Sequence, residues 1–242
     1  MMKTAVRKTL FYVLPFFVAP AVVIGGALLF REKHYAWISF ALALLSVGLV
    51  FLSFERKNTS AKELAVISAM VALSAAGRFV FAFVPGFKPV TAITVIAAIW
   101  LGPEQGFLVG SLSALISNFY FGQGAWTPFQ MLSWGVIGFI AGLMSRPLKK
   151  SKLALCAYGL FAGVLFSMMM DIWTVIWIDR YFNVPRYVAA IASALPVTAE
   201  YAVSNVIFLL VLSSPIGGTL ERIKKKYGLF GAAEGEPEQA NR

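Results

Sequence analysis

The chain has 242 residues, 59% of them hydrophobic and only 13% charged, with a formal net charge of +10. Soluble domains carry roughly a quarter charged residues, so an ordinary soluble domain is excluded. The basic residues sit in short clusters between apolar stretches, a placement that orients a membrane protein rather than binding nucleic acid.

Several uncharged apolar stretches reach the roughly 20 residues that span a bilayer as a helix, and the alternation of a membrane barrel is absent. An all-α integral membrane protein is therefore predicted, with segments at about 9–30, 36–54, 63–84, 89–101, 105–121, 127–145, 152–178 and 190–213. Lys3, Arg7 and Lys8 precede the first segment as in a signal peptide, but the apolar run is long for a cleaved one. A retained helix is expected, with cleavage as the alternative. The fourth segment is too short to cross upright and must tilt, kink or re-enter, whereas the seventh has length to spare. Beyond Tyr227 the Gly, Glu, Ala and Pro content reads as disordered.

The stretch 55–62 (ERKNTSAK) divides two unlike parts. Residues 1–60 form a predicted accessory hairpin with almost no internal polar groups. Residues 61–215 form a predicted six-helix core that holds the intramembrane polar groups, and 216–242 a largely disordered cytoplasmic tail. With a cytoplasmic N-terminus, fifteen Lys and Arg fall on the inner side and five on the outer. The positive-inside rule then places both termini in the cytoplasm of a multi-pass cell-membrane protein.

This topology gathers the intramembrane polar residues near the outer end: Arg78, Asn118, Gln130, Asp171, Glu200 and Asn205. A charge at such depth faces a partner or a cavity. Two compatible readings follow. Arg78 pairs with Asp171 or Glu200 to hold helices together, or these groups line an outward-open ligand pocket. One arginine cannot neutralise two carboxylates, so the second needs a proton, a ligand or water.

Three outer loops add candidates. The loop 84–90 carries Phe87 and Lys88 with Thr91 beyond, 119–128 carries Gln123 and Trp126, and 171–183 begins with Asp171 and Trp173. Rings mixed with amides and hydroxyls suit a flat or amphipathic organic ligand; the alternative is an interfacial aromatic belt. Small residues form a further pattern. Ala61, Ala65, Ala69, Ala72 and Ala76 recur at helical spacing, as do Gly106 with Gly110 and Gly135, Gly138 and Gly142. Such stripes permit close helix approach in lipid. For the glycines the contact is expected within the chain; for the alanines, which cover the cytoplasmic half of their helix, an intermolecular contact is the alternative.

Catalytic motifs are missing. The sequence has no phosphate-binding GxxxxGK[ST] loop and no GxSxG elbow. With one cysteine, Cys156, and one histidine, His34, it has no intrachain disulfide, no Cys/His metal site and no cofactor expectation. No convincing inverted repeat relates its halves, which weakens the case for an independent secondary transporter.

Residues 63–78 (ELAVISAMVALSAAGR) resemble the alanine-rich first helix of substrate-binding S components of energy-coupling factor (ECF) vitamin transporters. The run 87–143, with its P-V-T…G-P-x-x-G-F-x-V-G…TPFQM pattern, resembles the middle of the same family. The resemblance implies a non-enzymatic six-helix subunit that captures a vitamin and works with a transmembrane T component and two cytosolic ATPases. It implies that the alanine motif, here Ala65 and Ala69 with Ala72 on the same stripe, meets the T component. Substrate would sit among residues including Phe87, Lys88, Thr91, Gln130, Asp171, Trp173 and Asn205, with Arg78, Asn118, Gln123, Trp126 and Glu200 as further candidates. Cobalamin or a precursor is the first choice of ligand, with other vitamins open. The alternatives are a proton-coupled carrier using Asp171 or Glu200, and a membrane enzyme or scaffold. The N-terminal hairpin departs from the family's usual core.

Overall fold

The computed structural model describes residues 61–179 and 182–231, the helix Ala19–Phe30, and isolated positions 13, 17, 18, 37, 40, 41, 44 and 45. The linker 55–60, most of the expected second hairpin segment, Arg180, Tyr181 and the tail from 232 onward lie outside the described residues.

Among the described residues every regular element is a helix, and none is a strand. The helices are α1 (Ala19–Phe30), α2 (Ala61–Val80), α3 (Val90–Leu101), α4 (Pro103–Phe121), α5 (Thr127–Leu143), α6 (Ser145–Lys150), α7 (Lys152–Asp179) and α8 (Val184–Tyr227). Three of them, α2, α7 and α8, are long and apolar enough to cross a membrane, and α3 and α5 are shorter apolar helices.

The breaks between helices follow from local chemistry. Gly102, at φ 124°, turns the chain from α3 into α4, and Pro103 opens α4 where no intrahelical donor is needed. Asn183 caps α8 by accepting from the Arg186 amide at 3.3 Å. The Arg186 guanidinium reaches the Asp179 carboxylate at 2.6 Å, closing the α7–α8 connection.

Helix α3 is the hub. Eleven of its residues are buried, all but Trp100, and it packs against α2, α4, α5, α7 and α8. A helix apolar on every side belongs inside a bundle. Its 12 residues rise only about 18 Å, so it cannot reach across a bilayer core of roughly 30 Å. Helices α4 and α5 lie in closest contact. A Cβ at Gly106 or at Gly138 would strike the backbone of the other, and one at Gly110 would strike the Trp134 carbonyl. Here the glycine spacing serves packing within the chain. Helix α7 is tied to α5 by the Tyr158 hydroxyl, which donates to the Ile137 carbonyl at 2.5 Å. Helix α1 packs against α5, with Ala19 buried in the common core.

Helix α8 is longer than its apolar run predicts. It runs through Pro196 and Pro215 for 44 residues, so 216–227, expected as loose tail, are helical. Leu220 is buried and Glu221 pairs with Lys225 at 3.7 Å, which carries the helix past the last apolar segment. Gly228, left-handed at φ 59°, then stops it, and a 3-10 turn, Leu229–Gly231, folds back. The Phe230 amide donates to the Glu63 carboxylate at 2.5 Å, and the Lys62 ammonium lies 4.5 Å over the Tyr227 ring. The end of α8 is thereby fastened to the start of α2.

Candidate ligand-binding site

The last turn of α2 carries Arg78, which is 9% exposed. Its Nη1 donates to Ser117 Oγ at 2.6 Å and to Asn118 Oδ1 at 2.7 Å, both on α4. The guanidinium lies 4.5 Å from the Phe121 ring centre and 5.4 Å from that of Trp134. Its buried Nε has no hydrogen-bond partner. Among the described residues no carboxylate lies within ion-pair distance of Arg78. The expected pairing with Asp171 or Glu200 is thus corrected: α2 turns Arg78 toward the polar face of α4, and neutral acceptors hold it.

Those acceptors belong to a network. Asn118 Nδ2 donates to Thr127 Oγ1 at 3.0 Å and Gln130 Oε1 at 2.8 Å. Thr127 in turn donates to Gln123 Oε1 at 3.0 Å, and Gln123 Nε2 donates to the Leu115 carbonyl at 2.9 Å. Gln123 therefore staples the α4–α5 loop, and Asn118 links Arg78 to Gln130. A buried network whose members satisfy one another fixes side-chain positions.

Beside Arg78 opens a cleft of about 80 Å³. Of the predicted residues, Arg78, Lys88, Thr91, Gln130 and Asn205 line it. Asn118 stands behind it through its two amide bonds. Trp134, Phe166 and Tyr201 complete the walls, unforeseen in the sequence. Trp134 stacks on Phe166 at 5.0 Å and 16°, and its Nε1 donates to Thr91 Oγ1 at 3.1 Å. Trp134 stands one helical turn after Gln130, the one signal that could have marked it. Asn205 Nδ2 donates to the Gly159 carbonyl at 3.3 Å, so its amide also joins α8 to α7.

The α2–α3 loop roofs the cleft. Ser204 Oγ accepts from the Lys88 amide at 3.0 Å, anchoring the loop to α8. Gly86 adopts φ 65°, and a Cβ there would collide with Glu200. Burial first, and the charge of Arg78 second, lower the Lys88 ammonium below the usual lysine value.

The other predicted residues lie apart. Phe87 packs between Phe81 and Phe208, at 5.9 and 4.8 Å, as a structural wedge. Glu200 is exposed beneath Gly86 and does not line the cleft. Trp126 meets Trp173 edge-on at 6.0 Å, and Trp173 meets Trp177 at 5.8 Å. In that region Asp171 Oδ2 and Trp173 Nε1 are buried without partners. Among the described residues no three His, Cys, Asp or Glu side chains come together to hold a metal ion.

At the other end of α2, Ala61, Ala65, Ala69, Ala72 and Ala76 are all exposed, while Ile67, Met70, Val71 and Ser74 face the bundle. Ala65 and Ala69 line an apolar groove of about 810 Å³ between α2 and the far end of α8, with Pro215 and Leu220 opposite. Ala72 lies on the same exposed stripe but outside the groove.

Residues 57–222 match a family model described as ECF-type riboflavin transporter, S component. The chain is 33% identical over 91 residues to the UPF0397 protein of Vibrio atlanticus (strain LGP32), a stretch covering 36% of this chain and 50% of that protein. UPF0397 proteins of Aliivibrio fischeri (strain MJ11) and Aliivibrio salmonicida (strain LFI1238) are similar at the same identity, over 36% of this chain and 49% of each. The chain spans about half the length of the curated relatives it matches. No solved structure matches it significantly.

Proposed function

We propose that this chain, which belongs to the ECF-type riboflavin transporter S component family, captures a vitamin-like solute at the cleft beside Arg78 and delivers it through partner subunits. The family is one of membrane transport subunits, not of enzymes. Apolar helices long enough to cross a bilayer agree with a membrane location.

The observation that carries the reading is that α2 serves two opposite ends. Its last turn supplies the buried cation of a polar cleft, and its first half supplies an exposed stripe of alanines. Small side chains turned outward let a second helix approach closely. In this reading Ala65, Ala69 and Ala72 receive a T component, and two cytosolic ATPases supply the energy. Residues 61–215 form the six-helix capture core, 1–60 an accessory hairpin, and both termini lie in the cytoplasm. The Arg78 end then faces outward, because Arg146, Lys149, Lys150 and Lys152 cluster at the opposite end.

For the solute, a flavin-like ring takes first place. The family's description names riboflavin. Cobalamin or a precursor is the alternative, supported by the amides and rings of the loops beyond the cleft. A proton-coupled carrier is the second reading; Asp171 Oδ2, buried without a partner, favours it.

Uptake of a radiolabelled solute into proteoliposomes separates these readings. The proposal expects uptake only when the T component, both ATPases and ATP are present. Proton-driven uptake by this chain alone would overturn it in favour of the carrier.

A further inference from the structure

The geometry points to a solute that carries an acidic group, a carboxylate or a phosphate, seated in the cleft between Arg78 and Lys88. The inference rests on the capture reading and narrows it, because riboflavin is neutral at physiological pH.

Arg78 is a buried full charge held by a serine hydroxyl, an amide oxygen and two ring faces, none of them anionic. Its Nε remains unpaired. A buried charge without a counter-charge is unfavourable, and a charge-assisted bond from a guanidinium to an oxyanion relieves it best. Lys88 lines the same cleft and adds a second positive charge, while neither acidic candidate, Asp171 or Glu200, lines it. The Lys88 ammonium rests on the Val84 carbonyl at 3.5 Å, at the mouth of the cleft, and its proton affinity is lowered by burial first and by the nearby Arg78 charge second.

Size points the same way. Pockets that enclose a whole drug-sized ligand measure about 300–1,000 Å³, against about 80 Å³ here. The cleft thus accepts an end group, and the remainder of the solute lies toward the outer loops. Gln130, fixed by its bond from Asn118, stands at the cleft with a side-chain amide free to donate to the same oxyanion.

The test uses the full chain in lipid nanodiscs and two probe pairs that differ by one acidic group. One is riboflavin 5′-phosphate against riboflavin, the other benzoate against benzamide, with Kd read by calorimetry. The anionic member of each pair is expected to bind at least tenfold more tightly. That preference should fall toward unity in Lys88→Gln and in Arg78→Gln, and survive in Arg78→Lys. Lys88 lies in a loop, so its variant keeps the test valid if Arg78→Gln does not fold. Equal or tighter binding of the neutral members would overturn the inference, as would binding of neither. Partner-dependent uptake of a solute with no preference for charge would sink the acidic-group assignment and leave the proposed function standing. Retained anion preference with no partner-dependent uptake would do the reverse.

Discussion

The two ends of α2 solve opposite problems with the same helix. At its last turn Arg78 is buried against a polar network carried by α4, α5 and the loop between them. In its first half, small side chains face an open apolar groove and make no polar contact at all. A polar site must be rigid, because an unmatched buried donor is costly. An apolar helix surface needs only to be smooth and narrow, so that another helix can lie close. One helix can therefore present selectivity at one end and tolerance at the other, and perturbations should separate the two.

The largest separation is expected from Ala69→Trp. The indole fills the groove, so partner-dependent uptake should be lost while solute binding stays within about twofold of the native protein. Uptake at the native rate would remove the groove from the partner interface. Arg78→Ala should break the opposite end. Losing a buried charged contact costs about 2–5 kcal/mol, more than tenfold in Kd, while co-purification with the T component should persist. A smaller effect is expected at the roof of the cleft. Gly86→Ala imposes a side chain at φ 65° and against Glu200, which should lower stability by about 1–2 kcal/mol and weaken solute binding, both visible in a thermal unfolding titration. The smallest is Glu63→Gln. It exchanges a charged acceptor of the Phe230 amide for a neutral one, at a cost of about 1 kcal/mol. Proteolysis after α8 should quicken with the solute affinity unchanged.

The same contrast explains what the sequence could and could not disclose. Helices α3 and α5 were expected at 89–101 and 127–145 and are found at Val90–Leu101 and Thr127–Leu143, because Pro89, Gly102 and Pro128 punctuate clean apolar runs. Helix α8 runs about 14 residues past its apolar segment at 190–213, a stretch the sequence does not mark because a lysine-rich helix outside the apolar run has no hydropathy contrast. Arg78 stood out as a lone cation among apolar residues. Its partners did not, because which face of α2 meets which face of α4 depends on helix rotation, not on charge. Carboxylates attract attention in a list of residues, yet Ser117 and Asn118 hold the guanidinium. Trp134, Phe166 and Tyr201 were invisible for another reason. An aromatic wall inside an apolar helix looks like any other apolar position until the cavity beside it is seen.

Helix α8 also reaches both ends, with Tyr201 and Asn205 at the cleft and Pro215 to Tyr227 along the groove. Pro215 lacks an amide proton, so the Val211 carbonyl has no donor one turn later and the rod is softened between the two. The helix is thus a lever with a joint. Any bend at that joint that favours an occupied cleft also favours one shape of the groove, and the coupling works with equal strength in both directions. If the groove receives a partner subunit as proposed, that partner senses the cargo through its grip on the arm, without touching the cargo itself.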